Sequence, residues 1–196
     1  MRDLSATKPR TRDPARKEKI LGAAADLVAK SGFHAVSMAD IGQQAGITGS
    51  GIYRHFESKS AILVVLFERV IDDLLEDERA TVETTVDMRQ ALDRLVSAQV
   101  EFVVGKRMLA QVYHNEIHNL SEDDQVRLRR KQRIYIEEWI HLLRELNKDL
   151  DEAAARTLAH AAIGAIQSTL FHNLGLTEDR LRDLLQRSAQ AVLELK

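Results

Sequence analysis

The stretch that decides the fold spans residues 37–59 and reads S-M-A-D-I-G-Q-Q-A-G-I-T-G-S-G-I-Y-R-H-F-E-S-K. Its first half predicts a short helix. Ser37 and Asp40, three positions apart, have the spacing of a capping box, in which each side chain accepts a hydrogen bond from the other residue's backbone N–H. Gly46 follows where a left-handed residue is needed to end the helix.

The second half of this stretch predicts another short helix after a tight turn. Thr48 or Ser50 is suited to cap it, and we expect it to run to about Phe56. Ser58 then caps a third helix. Two short helices in this order predict a helix-turn-helix, whose second helix stands free of its own core to enter a DNA major groove.

The amino-terminal part of the chain is basic and the remainder is acidic. Residues 1–14 are polar and contain both prolines, Pro9 and Pro14, so we expect a flexible basic arm. Residues 1–60 hold 10 basic and 6 acidic residues, a net charge of +4, whereas residues 61–196 hold 18 and 24, a net charge of −6. This asymmetry fits a DNA reader attached to a body that does not bind DNA.

Apolar residues recur with helical period through the rest of the chain, and no proline interrupts them after the arm. The sequence therefore predicts an all-α fold. We expect an amino-terminal three-helix domain over residues 15–60 and a helical carboxy-terminal domain over residues 61–196. The predicted helices cover about residues 15–30, 38–45, 48–56, 58–78, 88–104, 106–118, 122–146, 151–174 and 177–195.

Composition argues against several classes of protein. The chain has no cysteine, which excludes disulfides and thiolate metal sites and fits a reducing cytoplasm. Its apolar stretches are too short to span a membrane, and its start lacks the apolar segment of a signal peptide. No Gly-rich phosphate loop or nucleophile elbow is present. We expect a cytoplasmic protein that is not an enzyme and needs no cofactor, metal or membrane.

Residues 16–67 resemble the DNA-binding domain of the TetR family of one-component transcriptional regulators. Five words carry the resemblance, in order and at the family's spacing, and they lie within about a quarter of the chain. These words are I-L-x-A-A (Ile20–Ala24), S-G-F (Ser31–Phe33), S-M-A-D-I (Ser37–Ile41), A-G-I (Ala45–Ile47) and G-I-Y-R-H-F-x-S-K (Gly51–Lys59).

The resemblance implies a set of DNA contacts. Tyr53 and His55 resemble the family's phosphate-contacting pair, and Lys59 resembles its phosphate-binding lysine. Arg54 has the side chain that can donate two hydrogen bonds to a guanine. The basic residues Arg10, Arg12, Arg16 and Lys17 of the arm and first helix either add phosphate or minor-groove contacts or belong to a plain flexible tail. The predicted DNA-binding residues are Ser37, Thr48, Gly49, Ser50, Tyr53, Arg54, His55 and Lys59.

The resemblance also implies a regulatory pocket in the carboxy-terminal domain. A mostly apolar cavity with a few polar groups favours a small hydrophobic or amphipathic effector, with a fatty acid or an acyl-coenzyme A preferred over a sugar. Trp139 is equally well explained as plain core. The predicted ligand-binding residues are Phe102, Tyr113, Glu116, Tyr135 and Trp139.

Two nearby clusters have less specific patterns. His114 and His118 have the i, i+4 spacing of a metal-binding pair, but no third ligand is marked, so a polar surface is the favoured interpretation. The run Arg127–Arg133 would suit an anionic ligand, although such runs more often form a solvated helix face.

The last two helices carry small residues that permit close approach of another helix. In the TetR family these helices pair with their copies in a four-helix dimer interface. Packing within one chain is the alternative. The predicted interface residues are Leu158, Ala162, Ala165, Thr169, Leu185 and Ala189.

These features predict a homodimeric repressor that binds a palindromic double-stranded operator and releases it when an effector fills the pocket. The alternative is an all-α scaffold that stays on DNA without responding to a ligand. Ligand-dependent loss of operator binding distinguishes the two.

Overall fold

The computed structural model describes residues 14–84, 87–172 and 175–194, and within these residues all regular structure is helical. The all-α prediction is therefore confirmed. A short 3-10 turn, Ile117–Asn119, follows the sixth helix. The helices are α1 (Pro14–Ser31), α2 (Met38–Gln44), α3 (Gly49–Ile52), α4 (Lys59–Thr84), α5 (Met88–Gly105), α6 (Arg107–Glu116), α7 (Glu122–Leu146), α8 (Glu152–Gln167) and α9 (Glu178–Leu193).

The first helix of the helix-turn-helix, α2, begins and ends as its capping residues predict. The Asp40 N–H donates to Ser37 Oγ at 3.1 Å, and the Ser37 N–H donates to Asp40 Oδ2 at 2.9 Å, which completes the capping box. Gly46 has a φ of +68°, as the end of α2 requires. Ser58 Oγ accepts from the Ala61 N–H at 3.0 Å and caps α4.

Several helix limits differ from the prediction. Pro14 is not the last residue of the arm but the first residue of α1, where its missing N–H costs nothing. The helix α3 ends at Ile52 and not near Phe56, because two of its four residues are glycines that weaken helical structure. The helix α4 extends past the predicted end at residue 78 to Thr84. Residues 1–13, with Arg10 and Arg12, lie outside the described residues.

The helix α8 ends at Gln167 and not near residue 174. The guanidinium of Arg107, at the start of α6, donates through Nη2 to the carbonyls of Thr169 at 2.6 Å, Leu170 at 3.0 Å and His172 at 3.0 Å. These bonds satisfy carbonyls that a continuing helix would have used internally.

One hydrophobic core runs through the described residues. The helix α1 packs against α2, α4 and α6, and α5 lies at the centre of the carboxy-terminal bundle in contact with α4, α6, α7, α8 and α9. Ile20, Phe67 and Trp139 are completely buried in this core. None of the described helices is long and apolar enough to cross a membrane.

The basic run on α7 connects α7 to α4. Arg127 pairs with Glu68 at 3.1 Å, and Lys131 pairs with Asp72 at 2.7 Å. Such exposed pairs each stabilise a protein by at most about 1 kcal/mol. The run therefore forms a solvated helix face, the more frequent of the two alternatives for such a sequence.

Candidate functional site

The tip of the helix-turn-helix presents polar and aromatic side chains to solvent. The ring of Tyr53 is 60% exposed, although Phe56, three residues later, is buried in the core at 5% exposure. Arg54 is exposed and His55 is half-buried. Thr48 and Ser50 are exposed as well, so this tip gathers five of the eight predicted DNA-binding residues.

Ser37 has a structural role in the capping box. Its hydroxyl donates to Asp40 Oδ2 at 2.6 Å, and the hydrogen bonds from Ser37 hold the pKa of the Asp40 carboxyl below its usual value. A carboxylate that stays ionised at this position opposes the approach of a phosphate. Ser37 is therefore the predicted cap that fixes the start of α2, and its role as an anion site stays a prediction.

Lys59 also contacts its own protein. Its Nζ donates to the carbonyls of Phe33 at 2.6 Å and Val36 at 2.8 Å, and it lies 4.3 Å from the centre of the Phe33 ring. An ammonium has three N–H donors, and two of them are used here within normal hydrogen-bond distance. Through these two hydrogen bonds Lys59 holds the segment between α1 and α2, residues 32–36, and its phosphate contact stays a prediction.

Glu116 on α6 also binds the segment between α1 and α2, residues 32–36. The helix α1 ends with Gly32 at a φ of +77°, whose N–H donates to the Val28 carbonyl, so the next N–H, that of Phe33, points away from α1. This N–H donates to Glu116 Oε1 at 3.3 Å, and Asn119 donates to Glu116 Oε2 at 2.6 Å. Glu116 therefore lies at the junction with the helix-turn-helix and not in the predicted pocket.

A small cavity lies inside the carboxy-terminal bundle. Its volume is about 80 Å³, and it contains three of the five predicted ligand-binding residues, Phe102, Tyr113 and Tyr135. Trp139 is completely buried, with its ring centre 6.1 Å from that of Tyr135. The lining residues are Ile71, Leu74, Gln99, Phe102, Tyr113, Gln132, Tyr135, Ile136, Ile163 and Gln167.

The polar groups of this cavity are uncharged. Three glutamines that were not predicted, Gln99, Gln132 and Gln167, line the cavity. Only Gln99 could have been noticed in the sequence, because it is a polar residue inside the apolar run of α5, and in the structure it is 3% exposed. The hydroxyl of Tyr113 is buried and has no hydrogen-bond partner within the described residues. Burial raises the pKa of the Tyr113 phenol well above its ordinary value, so it remains a neutral donor.

The histidine pair does not keep helical spacing. His114 lies on α6 with its ring centre 5.1 Å from that of Phe171, whereas His118 lies in the 3-10 turn. In the part of the chain that the structure describes, no three His, Asp or Glu residues are grouped to hold a metal ion.

Comparisons with known proteins agree with the helix-turn-helix. Residues 20–66 match the family described as "Bacterial regulatory proteins, tetR family". The HTH-type transcriptional repressor KstR2 of Rhodococcus jostii (strain RHA1) is 30% identical over 105 residues, which are 54% of this chain and 52% of that protein. Over residues 20–66 this chain therefore matches the tetR family of regulatory proteins.

Similarity to two further known proteins extends over most of the chain. The Fatty acid metabolism regulator protein of Bacillus subtilis (strain 168) is 25% identical over 90% of this chain and 91% of its own length. A TetR-family transcriptional regulator from Bordetella parapertussis 12822 has the same fold, with a TM-score of 0.79 at 23% identity over 91% of this chain and 94% of that one. The chain matches only about half the length of KstR2.

Several of the predicted dimer-interface residues are buried within one chain. Ala162 and Ala189 are completely buried within one chain, and Leu185 and Thr169 are 5% and 9% exposed. They join α8 and α9 to their own core, because the small-residue stripe of α8 is wide enough to face both inward and outward. Leu158 and Ala165 are partly exposed at its margins. We define the α8–α9 face by the exposed residues Ala153, Thr157, Ala161 and Gly164 on α8, Ser168 directly after α8, and Leu184, Ser188 and Ala191 on α9.

Proposed function

We propose that this TetR-family chain is a homodimeric transcriptional repressor that binds a palindromic double-stranded operator and is released by a small hydrophobic or amphipathic effector. Residues 15–60 form its DNA-binding domain, and residues 61–196 bind the effector and form the dimer through the α8–α9 face. The relative KstR2 is named a transcriptional repressor, which supports the direction of the effect.

The exposed ring of Tyr53 is the observation that carries the proposal. A tyrosine that is 60% exposed, beside exposed Arg54 and next to buried Phe56, is an aromatic and basic tip directed away from the core. Hydroxyl, imidazole and guanidinium groups are the donors that bind phosphate oxygens and base edges. The net charge of +4 on residues 1–60 supports attraction of this end to DNA.

The helix α6 supplies a physical route from the cavity to this tip. Tyr113 lines the cavity, and its ring meets that of Phe67 on α4 edge-on at 4.8 Å. Glu116, one turn later, accepts from the Phe33 N–H in the segment that precedes α2. An effector that displaces Tyr113 therefore moves α6 and the hydrogen bond that positions the helix-turn-helix. Ligand binding changes DNA affinity only to the extent that the ligand binds the displaced state more tightly than the undisplaced state.

The DNA contacts can be separated by two substitutions. Tyr53→Ala is expected to weaken binding to operator and to unrelated DNA alike, because phosphate contacts carry no sequence information. Arg54→Ala is expected to relax preference at one base pair in each half-site, at a cost of about 1–3 kcal/mol for the preferred base. Gel-shift titrations with operator and scrambled duplexes measure both effects.

A matched control for these variants is Ser97→Ala, since Ser97 is exposed on α5, away from the helix-turn-helix. It should bind both duplexes like the unchanged protein. Equal affinity of Tyr53→Ala and wild type for both duplexes would place the DNA-binding surface elsewhere.

A further inference from the structure

We propose that the effector enters the cavity with an uncharged oxygen group, such as the carbonyl of a ketone, ester or lactone, on a compact apolar body, and that a carboxylate is excluded from this position. This inference rests on the proposed function, since it names the chemical class of the effector. It departs from the fatty acid that the sequence favours.

The cavity wall has two kinds of surface. Ile71, Leu74 and Phe102 represent the apolar part, which the two further isoleucines extend. The polar part consists of amides and phenols, and none of the lining residues is Lys, Arg, His, Asp or Glu. A ligand that fits both parts has an apolar body and a hydrogen-bonding group without formal charge.

A carboxylate is unfavourable in this cavity because no lining cation compensates for its loss of water. A buried ion without a partner costs several kcal/mol, far more than an amide or phenol donor returns. Arg107 on α6 donates to three carbonyls that follow the end of α8 and is not a lining residue. The site therefore discriminates against anionic groups by its composition.

A purely apolar ligand would leave a buried hydrogen-bond donor of the cavity without a partner. The buried hydroxyl of Tyr113 has no hydrogen-bond partner in the described part of the chain, and Gln99, which lines the same cavity, is 97% buried. A carbonyl oxygen accepts from such a phenol, whereas a methylene group leaves it unsatisfied. The buried phenol therefore selects for an acceptor atom on the ligand.

The volume of the cavity limits the body of the ligand. About 80 Å³ is well below the roughly 300–1,000 Å³ of sites for drug-sized ligands. A single-ring molecule is a suitable probe, and a larger effector has to move a wall, such as Ile71 and Leu74 on α4 or Tyr113 on α6.

Three probes of similar size test the proposal. Cyclohexanone carries the neutral acceptor, methylenecyclohexane replaces its oxygen by a carbon, and cyclohexanecarboxylate carries the charge. The single tryptophan, Trp139, has its ring centre 6.1 Å from that of Tyr135 in the cavity wall, so its fluorescence reports occupancy. Titrations and thermal shifts use the full chain, with N-acetyltryptophanamide as the control for collisional quenching.

Cyclohexanone is expected to give a saturable signal and a raised Tm, methylenecyclohexane to bind about fivefold more weakly, and cyclohexanecarboxylate to give no saturation. Tyr113→Phe is expected to weaken cyclohexanone binding about three- to tenfold and to leave methylenecyclohexane unchanged. Gln132→Arg, at a partly exposed lining position, is expected to make cyclohexanecarboxylate the tighter ligand.

The proposal is overturned if wild type binds cyclohexanecarboxylate more tightly than cyclohexanone, if Tyr113→Phe weakens all three probes equally, or if none of the probes saturates. Gel shifts without any compound are run on the same preparations. DNA binding that persists in those gels shows that the regulator function stands even where the effector class fails.

Discussion

Ala161→Glu is expected to yield a folded monomer, whereas Ala162→Glu, one residue later, is expected to unfold the chain. Ala161 is exposed on the α8–α9 face, and Ala162 is completely buried against its own core. A glutamate at position 162 places an unpaired charge in that core. The cost of several kcal/mol is a large part of the roughly 5–15 kcal/mol that stabilises a typical domain.

Ala161→Glu has a different effect because its added carboxylate remains exposed to water in the single chain. In the proposed dimer, two-fold symmetry brings this small-residue surface against its copy, where the added side chains overfill a close helix contact. Circular dichroism should show full helicity, and analytical ultracentrifugation should show the mass of one chain. Operator affinity should fall because two linked half-site contacts become one.

Ser97→Glu is the control for added surface charge, since Ser97 is exposed on α5. It is expected to leave the dimer and its thermal unfolding unchanged. A stable Ala161→Glu dimer would move the interface away from the α8–α9 face, and a fully folded Ala162→Glu protein would contradict the burial of that position.

Local chemistry made much of the fold predictable. The capping box at Ser37 and the left-handed glycine at position 46 involve residues close in sequence, so their spacing is sufficient evidence. The helices α5, α7 and α9 begin within one residue of the predicted positions. The resemblance within residues 16–67 supplied the family, which pattern alone does not give.

The contacts of Glu116 and Lys59 could not be predicted because they join distant parts of the chain. Glu116 and Phe33 are 83 positions apart, and no periodicity marks their hydrogen bond. Lys59 lies where the family motif suggests a phosphate ligand, but its carbonyl partners become visible only when α1 and α4 are placed together. Ala161 and Ala162 are chemically identical in sequence, and a rotation of about 100° around α8 separates an outward from an inward position.

The segment between α1 and α2 emerges as the point where two parts of the protein meet. Its Phe33 N–H is held by Glu116 on α6, and its Phe33 carbonyl is held by Lys59 at the start of α4. His34 adds a contact to Asn119 at 2.9 Å. Helices that line the cavity thus fix the segment leading into the helix-turn-helix, which gives the proposed ligand response a specific set of bonds to break.

Lys59→Met is expected to lower both thermal stability and DNA affinity. The methionine keeps an unbranched apolar side chain beside Phe33, but the carbonyls of Phe33 and Val36 lose a charged donor. Loss of such partners costs about 1–3 kcal/mol, and each kcal/mol lowers the Tm of a chain of this size by about 2–4 °C. Without these two hydrogen bonds the segment before α2, residues 32–36, is free to shift, so the exposed tip that carries Tyr53 and Arg54 no longer meets DNA in one orientation.

Salt dependence decides between this holding role and a direct phosphate contact at Lys59. A phosphate contact predicts that Lys59→Met reduces the slope of log affinity against log salt by about one and leaves the Tm unchanged. A holding role predicts the reverse, a lower Tm with an unchanged slope. Glu116→Gln provides the matched variant on the opposite side, since its amide oxygen still accepts from the Phe33 N–H and should preserve operator affinity, whereas Glu116→Leu should weaken it. Loss of affinity in Glu116→Leu together with retention in Glu116→Gln would tie the position of the helix-turn-helix to α6 through this hydrogen bond.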